Sequence, residues 1–459
     1  MQSDIIIWEF IKNVEQLIEH EVSSKSLLPA SEDVFYWKHE NLKYTNRGLV
    51  SDSGEGIIET RQNWLVIQHY ISKLIRGWDK AFQLEDALAN LRSGEEDPQK
   101  IVLSVYWQIA GAYFYSIPEK REAAYNQIVQ RFIRDLEGGP QTIAIKIELT
   151  GIILEPDSIL ISETYLLRKP IREDIEVPVD ITSRATSIYQ NNFKWPTAIL
   201  EGLLHNEHIN PQELQEDIDK LLIVLRLWSS GNIDFLRYTI SGDRVVGERL
   251  QHGINNAYKQ SSELSYLVPS NKEREFKSFF NVLFAILPLN MYGSKKNESS
   301  ITIALDRYTE AACEAGSLER KITNIMMGLE ALFSTDGVEI AYKLRLRVAK
   351  FLSVFDKPAL QMAELLKKGY DIRSKFSHGS ILKIKEKTEY TKDSQFLVSL
   401  LDMLRLAIVA FIVLNLEKEE IIRLLDKAMI NDQENERLNE LSVKFEKRMG
   451  EGFQKANLK

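Results

Sequence analysis

Residues 318–333 read LERKITNIMMGLEALF, and this stretch sets the fold class of the C-terminal third of the chain. Its large apolar residues recur at steps of three and four positions, which is the spacing of one face of an α-helix. The same spacing predicts further helices at about 302–315, 344–355, 359–377 and 392–416. The last of these is apolar on nearly every side, so it must lie inside a helical bundle or in an interface between chains.

The first 290 residues carry both helix and strand patterns. Apolar and polar residues alternate from 143 to 150, which is the period of a half-buried strand. A second run, 159–167, follows turn formers, so the sequence predicts that these two strands form a hairpin. A further strand is expected at 233–240. Helices are expected at about 4–23, 60–92, 119–137, 211–228 and 271–286.

The polar run 290–300 has turn formers and charges without periodic apolar residues, which favours a domain boundary. The predicted class is therefore α+β. A mixed α/β N-terminal region occupies 1–290 and is a candidate sensor or regulatory region. An all-α bundle occupies 300–416, and a charged C-terminal helix and tail occupy 417–459.

Composition favours a cytoplasmic protein without membrane attachment. The chain has 459 residues, a net charge of −8 and a single cysteine, which excludes an internal disulfide and a cysteine zinc cage. The first 25 residues mix charges with apolar residues, unlike a secretory signal. The longest strongly apolar run, 404–416, contains Arg405 and is shorter than the roughly 20 residues that span a bilayer.

Positive charge is concentrated in residues 341–392, which hold 13 Lys and Arg against 5 Asp and Glu. The net charge of this segment is +8, and that of the remainder of the chain is −16. A confined basic segment suits an anionic ligand such as RNA, and a solvated helical face explains the same composition equally well.

Residues 370–379 read YDIRSKFSHG and contain the candidate catalytic pair, Arg373 and His378. An arginine keeps its charge and its planar fork matches a phosphate, whereas a histidine titrates near neutrality and can transfer a proton. RNA cleavage without metal needs such proton transfer and a cation beside the phosphoryl oxygens. The structural alternatives are a helix cap for His378 and an ion pair with a nearby carboxylate for Arg373.

The two candidates are five positions apart, which is about 140° around an ideal helix, so they share no face unless the helix ends or distorts. Gly379 predicts that the helix ends here. Ser374 and Lys375 are candidates for phosphate contact. Lys367 and Lys368 are candidate RNA-binding residues on the same helix.

The pattern at 370–379, set in a helical bundle over about 300–416, resembles the Arg-x(4–6)-His motif of HEPN domains, particularly the Apea-like HEPN group. Tyr370 before the arginine and the glycine after the histidine are part of this resemblance. Active members often have Asn, Asp or His directly after the arginine, and this chain has Ser374 there.

The resemblance implies a bundle of four or five helices and a homodimer. It also implies a metal-independent endoribonuclease, without cofactor, whose two motifs meet at the dimer interface. A role in anti-phage defence or as a toxin is implied as well, with an unspecified phage-derived or cellular trigger. A catalytically inactive HEPN module for RNA binding or dimerisation is the other interpretation. An acidic residue on an earlier helix often reaches the motif, so Glu330 is a candidate partner of Arg373 or His378; pairing with Arg345 or Arg347 is the alternative.

Three further interpretations concern residues outside this motif. The apolar residues of 392–416 exceed what a small bundle hides, which predicts a homodimer through the C-terminal bundle. His205 and His208 have the spacing of metal ligands, but no third ligand is evident and a surface loop is favoured. The basic residues at 168–172 indicate an exposed strand end more than an RNA contact, because Pro170 interrupts strand pairing.

Overall fold

The computed structural model of the protein has the predicted α+β class. It describes a set of segments that together hold most of the chain: residues 2–24, 30–39, 42–45, 48–51, 54–91, 98–115, 118–137, 141–175, 179–180, 196–206, 211–244, 251–254, 265–293, 296–314, 316–335, 339–379 and 394–449.

Five helices in the first 137 residues pack around a core of their own. They are α1 (Gln2–Ser24), α2 (Leu65–Ile75), α3 (Asp79–Leu91), α4 (Pro98–Tyr115) and α5 (Pro118–Glu137). Their apolar faces bury Ile11, Ile71, Tyr106 and Phe132 together. The single helix predicted over 60–92 is wrong, because the N–H of Gly77 bonds to the carbonyl of Leu74 in a turn that separates α2 from α3.

Strands between α1 and α2 were not predicted from the sequence. Strands β1 (Ala30–His39) and β4 (Gly54–Asn63) pair antiparallel along their whole length, and β9 (Val179–Asp180) pairs with β1. Strands β2 (Leu42–Thr45) and β3 (Gly48–Ser51) form a short antiparallel pair. The sequence of β1, ASEDVFYWKH, lacks a regular alternation of apolar and polar residues, so the strand gives no periodic signal.

The main sheet has six antiparallel strands in the order β12, β11, β5, β10, β8, β7. Their bounds are β5 (Gln141–Thr150), β7 (Ser158–Leu160), β8 (Tyr165–Arg168), β10 (Ala198–Asn206), β11 (Asp234–Gly242) and β12 (Gln251–Ile254). A separate parallel pair joins β6 (Ile152–Leu154) to β13 (Tyr266–Val268). A short helix, α6 (Arg172–Ile175), follows β8.

The sheet confirms the strand predicted over 143–150 and corrects its pairing. Strand β5 lies between β10 and β11, so the predicted hairpin with 159–167 is wrong. That run instead divides into β7 and β8, which pair with each other. The Ser162 hydroxyl accepts hydrogen bonds from the N–H groups of Thr164 and Tyr165 and stabilises the turn between them.

The remaining helices follow the predicted bounds closely. They are α7 (Pro211–Trp228), α8 (Glu273–Ile286), α9 (Ser300–Cys313), α10 (Leu318–Phe333), α11 (Ile340–Ser353), α12 (Ala359–Ser377), α13 (Ser394–Leu414), α14 (Lys418–Ala428) and α15 (Asp432–Met449). Two helices, α14 and α15, occupy the segment for which the sequence predicted one. Helix α15 packs against the core. Its Phe445 is buried, and the centre of the Phe445 ring lies 5.2 Å from that of Phe355.

Helix α13 lies inside the chain. Within the described residues, the segment Gln395–Leu414 is long and apolar enough to cross a membrane, but 78% of its most apolar window is buried by the rest of the protein. Such burial is typical of the core helix of a soluble protein. Leu404 and Phe411 are both 0% exposed in the single chain. Over its described residues, 394–414, this helix therefore lacks the excess apolar surface that was expected to drive dimerisation, and the homodimer stays a prediction that rests on the resemblance.

One hydrophobic core contains both the sheet and the bundle. Three side chains also complete the hydrogen bonds of the last four carbonyls of α7, residues 225–228, which an isolated helix leaves unpaired. Tyr266 and Tyr308 each donate from the hydroxyl to one carbonyl, at 3.1 and 2.9 Å. Arg405 donates from Nη1 to the other two, both at 2.9 Å. The predicted boundary at 290–300 thus falls within the span of a shared core, and the division into domains stays a prediction.

Candidate functional site

Helix α12 carries the candidate pair and is held against the core by one face. Met362, Leu366, Gly369 and Ile372 recur at three- and four-residue steps and are buried. A Cβ on Gly369 would lie 3.0 Å from Sδ of Met326. Gly369 therefore allows α12 to approach α10 closely, one turn before Arg373.

The structure brings Arg373 and Glu330 together. Arg373 Nη2 donates to Oε2 of Glu330 at 3.1 Å, across from α12 to α10. The two side chains are 26% and 16% exposed, so the ion pair is shielded from solvent on most sides. Glu330 is thus placed as the sequence analysis proposed, and Arg373 also has the neighbouring carboxylate that its structural alternative required.

The alternative partners of Glu330 have other contacts. Arg347 is buried and donates from Nε and Nη2 to the carboxylate of Asp426, both at 2.7 Å, and from Nη1 to the carbonyl of Phe333. Arg345 lies with Cζ 5.7 Å from the centre of the Tyr342 ring. The predicted alternative pairing of Glu330 with Arg345 or Arg347 is therefore wrong.

The Arg373–Glu330 pair leaves bonding capacity unused. Among the described residues, Oε1 of Glu330 and Nε of Arg373 are buried without a hydrogen-bond partner. Burial raises the pKa of Glu330 above the ordinary value of a glutamate, and the charge and hydrogen bond of Arg373 oppose that rise. Because a guanidinium has five N–H donors, one bond to Glu330 leaves Arg373 able to contact an anion through its exposed part.

Tyr370 completes the surroundings of the arginine. Its half-buried ring packs against the bundle core, and the Cζ atom of Arg373 lies 5.5 Å from the ring centre. A guanidinium at this distance from an aromatic ring gains a cation–π attraction. Tyr370 and Glu330 together fix the guanidinium from two sides.

His378 lies at the end of α12 and is exposed. The backbone N–H of His378 donates to the carbonyl of Ser374 at 3.1 Å. Gly379 follows with φ +71°, in the left-handed region that ends helices. The predicted helix end at Gly379 is therefore confirmed. Because helical hydrogen bonding continues to His378, the angle of about 140° from Arg373 is kept. Arg373 therefore contacts α10, whereas His378 is exposed to solvent.

The other candidates on α12 lie on its outer side. Lys367, Lys368 and Lys375 are exposed, and Ser374 is half-buried. Part of the basic segment has a different role, because Lys350 donates to Oδ1 of Asn435 at 2.7 Å and Lys357 to Asp402 at 3.1 Å. Residues 380–392 of the basic segment lie outside the described residues.

The remaining sequence candidates are the two histidines at 205 and 208 and the basic residues at 168–172. Among the residues that the structure describes, no three His, Cys, Asp or Glu side chains are grouped as metal ligands. His208 and the side chain of His205 lie outside those residues. The strand ends at Arg168 as predicted, but Arg168 itself is not exposed: its side chain is 16% exposed and forms ion pairs with Asp174 and Glu201, each at 2.6 Å.

Two residues that position the site were missed from the sequence. Gly369 and Gly328 lie inside helices, where glycine costs about 1 kcal/mol relative to alanine. That cost is the signal that could have identified them, because it indicates a close approach of another helix. A Cβ on Gly328 would lie 2.7 Å from Cδ2 of Leu404.

Comparison with protein-family models, with curated proteins and with solved structures finds no significant match for this chain.

Proposed function

We propose that this protein is a metal-independent endoribonuclease of HEPN type that acts as a homodimer in the cytoplasm. The observation that supports it most is the Arg373–Glu330 pair, which holds a guanidinium near the end of α12, five positions before the exposed His378. The two side chains that the proposed metal-free cleavage requires thus lie near one end of one helix, His378 exposed and Arg373 partly exposed.

In the proposed reaction, His378 of one protomer takes the proton of a ribose 2′-hydroxyl, and the 2′-oxygen attacks the adjacent phosphorus. The bond from phosphorus to the 5′-oxygen breaks, and that oxygen takes a proton from the histidine of the second protomer. The products are a 2′,3′-cyclic phosphate and a free 5′-hydroxyl. Arg373 donates to the phosphoryl oxygens, where negative charge develops. Ser374 and Lys375 add phosphate contacts, and Tyr370 and Glu330 hold the arginine.

A second candidate function is a catalytically inactive bundle that binds RNA or dimerises. The observation that favours it is the ion pair itself, because Arg373 already has a carboxylate partner and His378 occupies a helix end in the single chain. The role in anti-phage defence or as a toxin rests on the resemblance alone.

The two functions are separated by incubating the purified chain with end-labelled tRNA or mRNA in EDTA. The proposed function predicts cleavage that persists without divalent metal. A mobility shift with intact RNA would instead support the inactive binding module. Intact RNA without a shift would leave neither function supported.

A further inference from the structure

Exposed aromatic side chains are few in the part of the chain whose burial the structure describes. Among the Phe, Tyr and Trp side chains whose burial the structure describes, three are exposed by more than a third: Phe82 at 45%, Tyr342 at 57% and Phe376 at 43%. Two of the three belong to the helical bundle. An aromatic ring exposed to this extent loses the stabilisation of burial, so two of them at one end of a bundle indicate a contact with a ligand or a partner.

Tyr342 and Phe376 lie at the same end of the bundle. Residues 334–339 join the C-terminal end of α10 to the N-terminal end of α11, which carries Tyr342. Glu330, one turn before the end of α10, bonds to Arg373 near the end of α12. The connection 354–358 between α11 and α12 is also short, as between antiparallel neighbours. The ends that carry Tyr342 and residues 373–378 are therefore adjacent.

A guanidinium accompanies the tyrosine ring. Cζ of Arg345 lies 5.7 Å from the centre of the Tyr342 ring, one helical turn along α11. Within the described part of the chain, no carboxylate forms an ion pair with Arg345. An exposed ring beside an arginine offers both a stacking surface for a base and a positive charge for the adjoining phosphate.

The charge around these rings favours a polyanion. At this end, residues 339–345 and 367–378 contain six Lys and Arg, against two carboxylates in the same ranges and Glu330 on α10. A nucleic acid strand matches this composition, because it brings phosphates to the cations and bases to the rings.

We propose that Tyr342 and Phe376 form a base-stacking surface for single-stranded RNA, beside the Arg373–His378 motif. This inference rests on the proposed function, for which it names the substrate class: unpaired RNA, whose bases are free to stack on the rings. Bases within a duplex are already stacked on each other, so the surface discriminates against double-stranded RNA.

The test measures binding and not cleavage. A fluorescent 2′-O-methyl oligonucleotide lacks the attacking hydroxyl, so the full chain binds it without cutting it, and anisotropy reports the dissociation constant. We expect Tyr342→Ala and Phe376→Ala each to weaken binding of the single strand by about 5- to 150-fold. Tyr342→Phe keeps the ring and should bind as the unmodified chain does. Phe82→Ala is the matched control, since Phe82 is exposed to a similar extent on α3.

The outcomes separate this inference from the proposed function. Loss of binding in both alanine variants, with a much smaller loss for duplex RNA, supports the stacking surface even if the unmodified chain cleaves no RNA. Cleavage by the unmodified chain, together with unchanged binding in both variants, overturns the stacking surface and leaves the ribonuclease intact. If both alanine variants bind RNA as the unmodified chain does but sediment with a lower molecular mass, the stacking surface is overturned and the rings form a protein interface instead.

Discussion

At the residue level, the proposed activity depends on what holds Arg373. A carboxylate, an aromatic ring and a glycine-permitted helix approach all converge on this side chain. Glu330 was identified from the sequence as a candidate partner, but its choice of Arg373 over Arg345 or Arg347 was not. That choice depends on Asp426, 79 positions along the chain from Arg347, which accepts from Nε and Nη2 of that arginine.

Replacing Arg373 by Lys is predicted to remove most cleavage activity. An ammonium is a point charge and cannot reproduce the planar, two-donor contact that a guanidinium makes with a phosphate. Initial rates of RNA cleavage by the variant and the unmodified chain measure the effect, and circular dichroism confirms that the variant is folded. Full activity of Arg373→Lys would mean that the arginine is structural.

Glu330 makes stability depend on pH in a stated direction. Because burial raises its pKa in the folded state, folding favours the protonated carboxyl. The contribution of Glu330 to stability is therefore fully present below its unfolded pKa and is lost as pH rises through its folded pKa. Glu330→Gln has no such loss. As pH rises through this range, the free energy of unfolding of the variant should therefore increase relative to that of the unmodified chain.

Urea unfolding at a series of acidic to neutral pH values measures this difference. Glu364→Gln, at an exposed carboxylate on α12, is the matched control and should show a smaller change. A difference between Glu330→Gln and the unmodified chain that stays constant with pH would contradict the raised pKa.

At the scale of the element, helix periodicity was the most informative feature of the sequence. The bounds of α7 and α12 match their predictions because a buried stripe at 3.6-residue period needs no knowledge of the rest of the chain. Strand pairing is a long-range choice, so the sequence identified β5 but gave it the wrong neighbour. The β1–β4 ribbon was missed since its strands lack a regular alternation.

Replacing glycine by alanine is predicted to have opposite effects at two helical glycines: Gly328, where α10 approaches α13, and Gly111, where no other atom is close. Gly328→Ala places a methyl group 2.7 Å from Leu404 and 3.3 Å from Cβ of Arg307, so it should lower the free energy of unfolding by about 1–3 kcal/mol. Gly111→Ala in α4 meets no atom within 4 Å and should raise it by about 0.5–1 kcal/mol. Urea unfolding of both variants measures the two effects. A stabilising Gly328→Ala would mean that the helices separate at little cost.

At the scale of the whole molecule, the sheet and the bundle behave as one hydrophobic unit. Their shared core and the capping of α7 by Arg405 were not predicted, because both depend on contacts across more than a hundred residues. The change in composition near residue 300 suggested a boundary, but composition does not report which buried faces meet.

Fragments of the chain are predicted to differ in stability for this reason. A fragment of residues 141–459 keeps the shared core and should unfold in one cooperative thermal transition. A fragment of residues 300–459 loses α7 and α8, which exposes apolar surface of α13, and should bind the dye ANS. A cooperative transition and no dye binding in the shorter fragment would show that the bundle is an independent domain.

The role of His378 in metal-free RNA cleavage is tested by His378→Ala in an RNA cleavage assay with EDTA. General acid–base catalysis contributes roughly 100- to 10,000-fold in rate, whereas an exposed residue at a helix end contributes little to the core. We expect the unmodified chain to yield fragments ending in a 2′,3′-cyclic phosphate, and the folded His378→Ala chain to yield essentially none. Equal cleavage by the folded variant would contradict it.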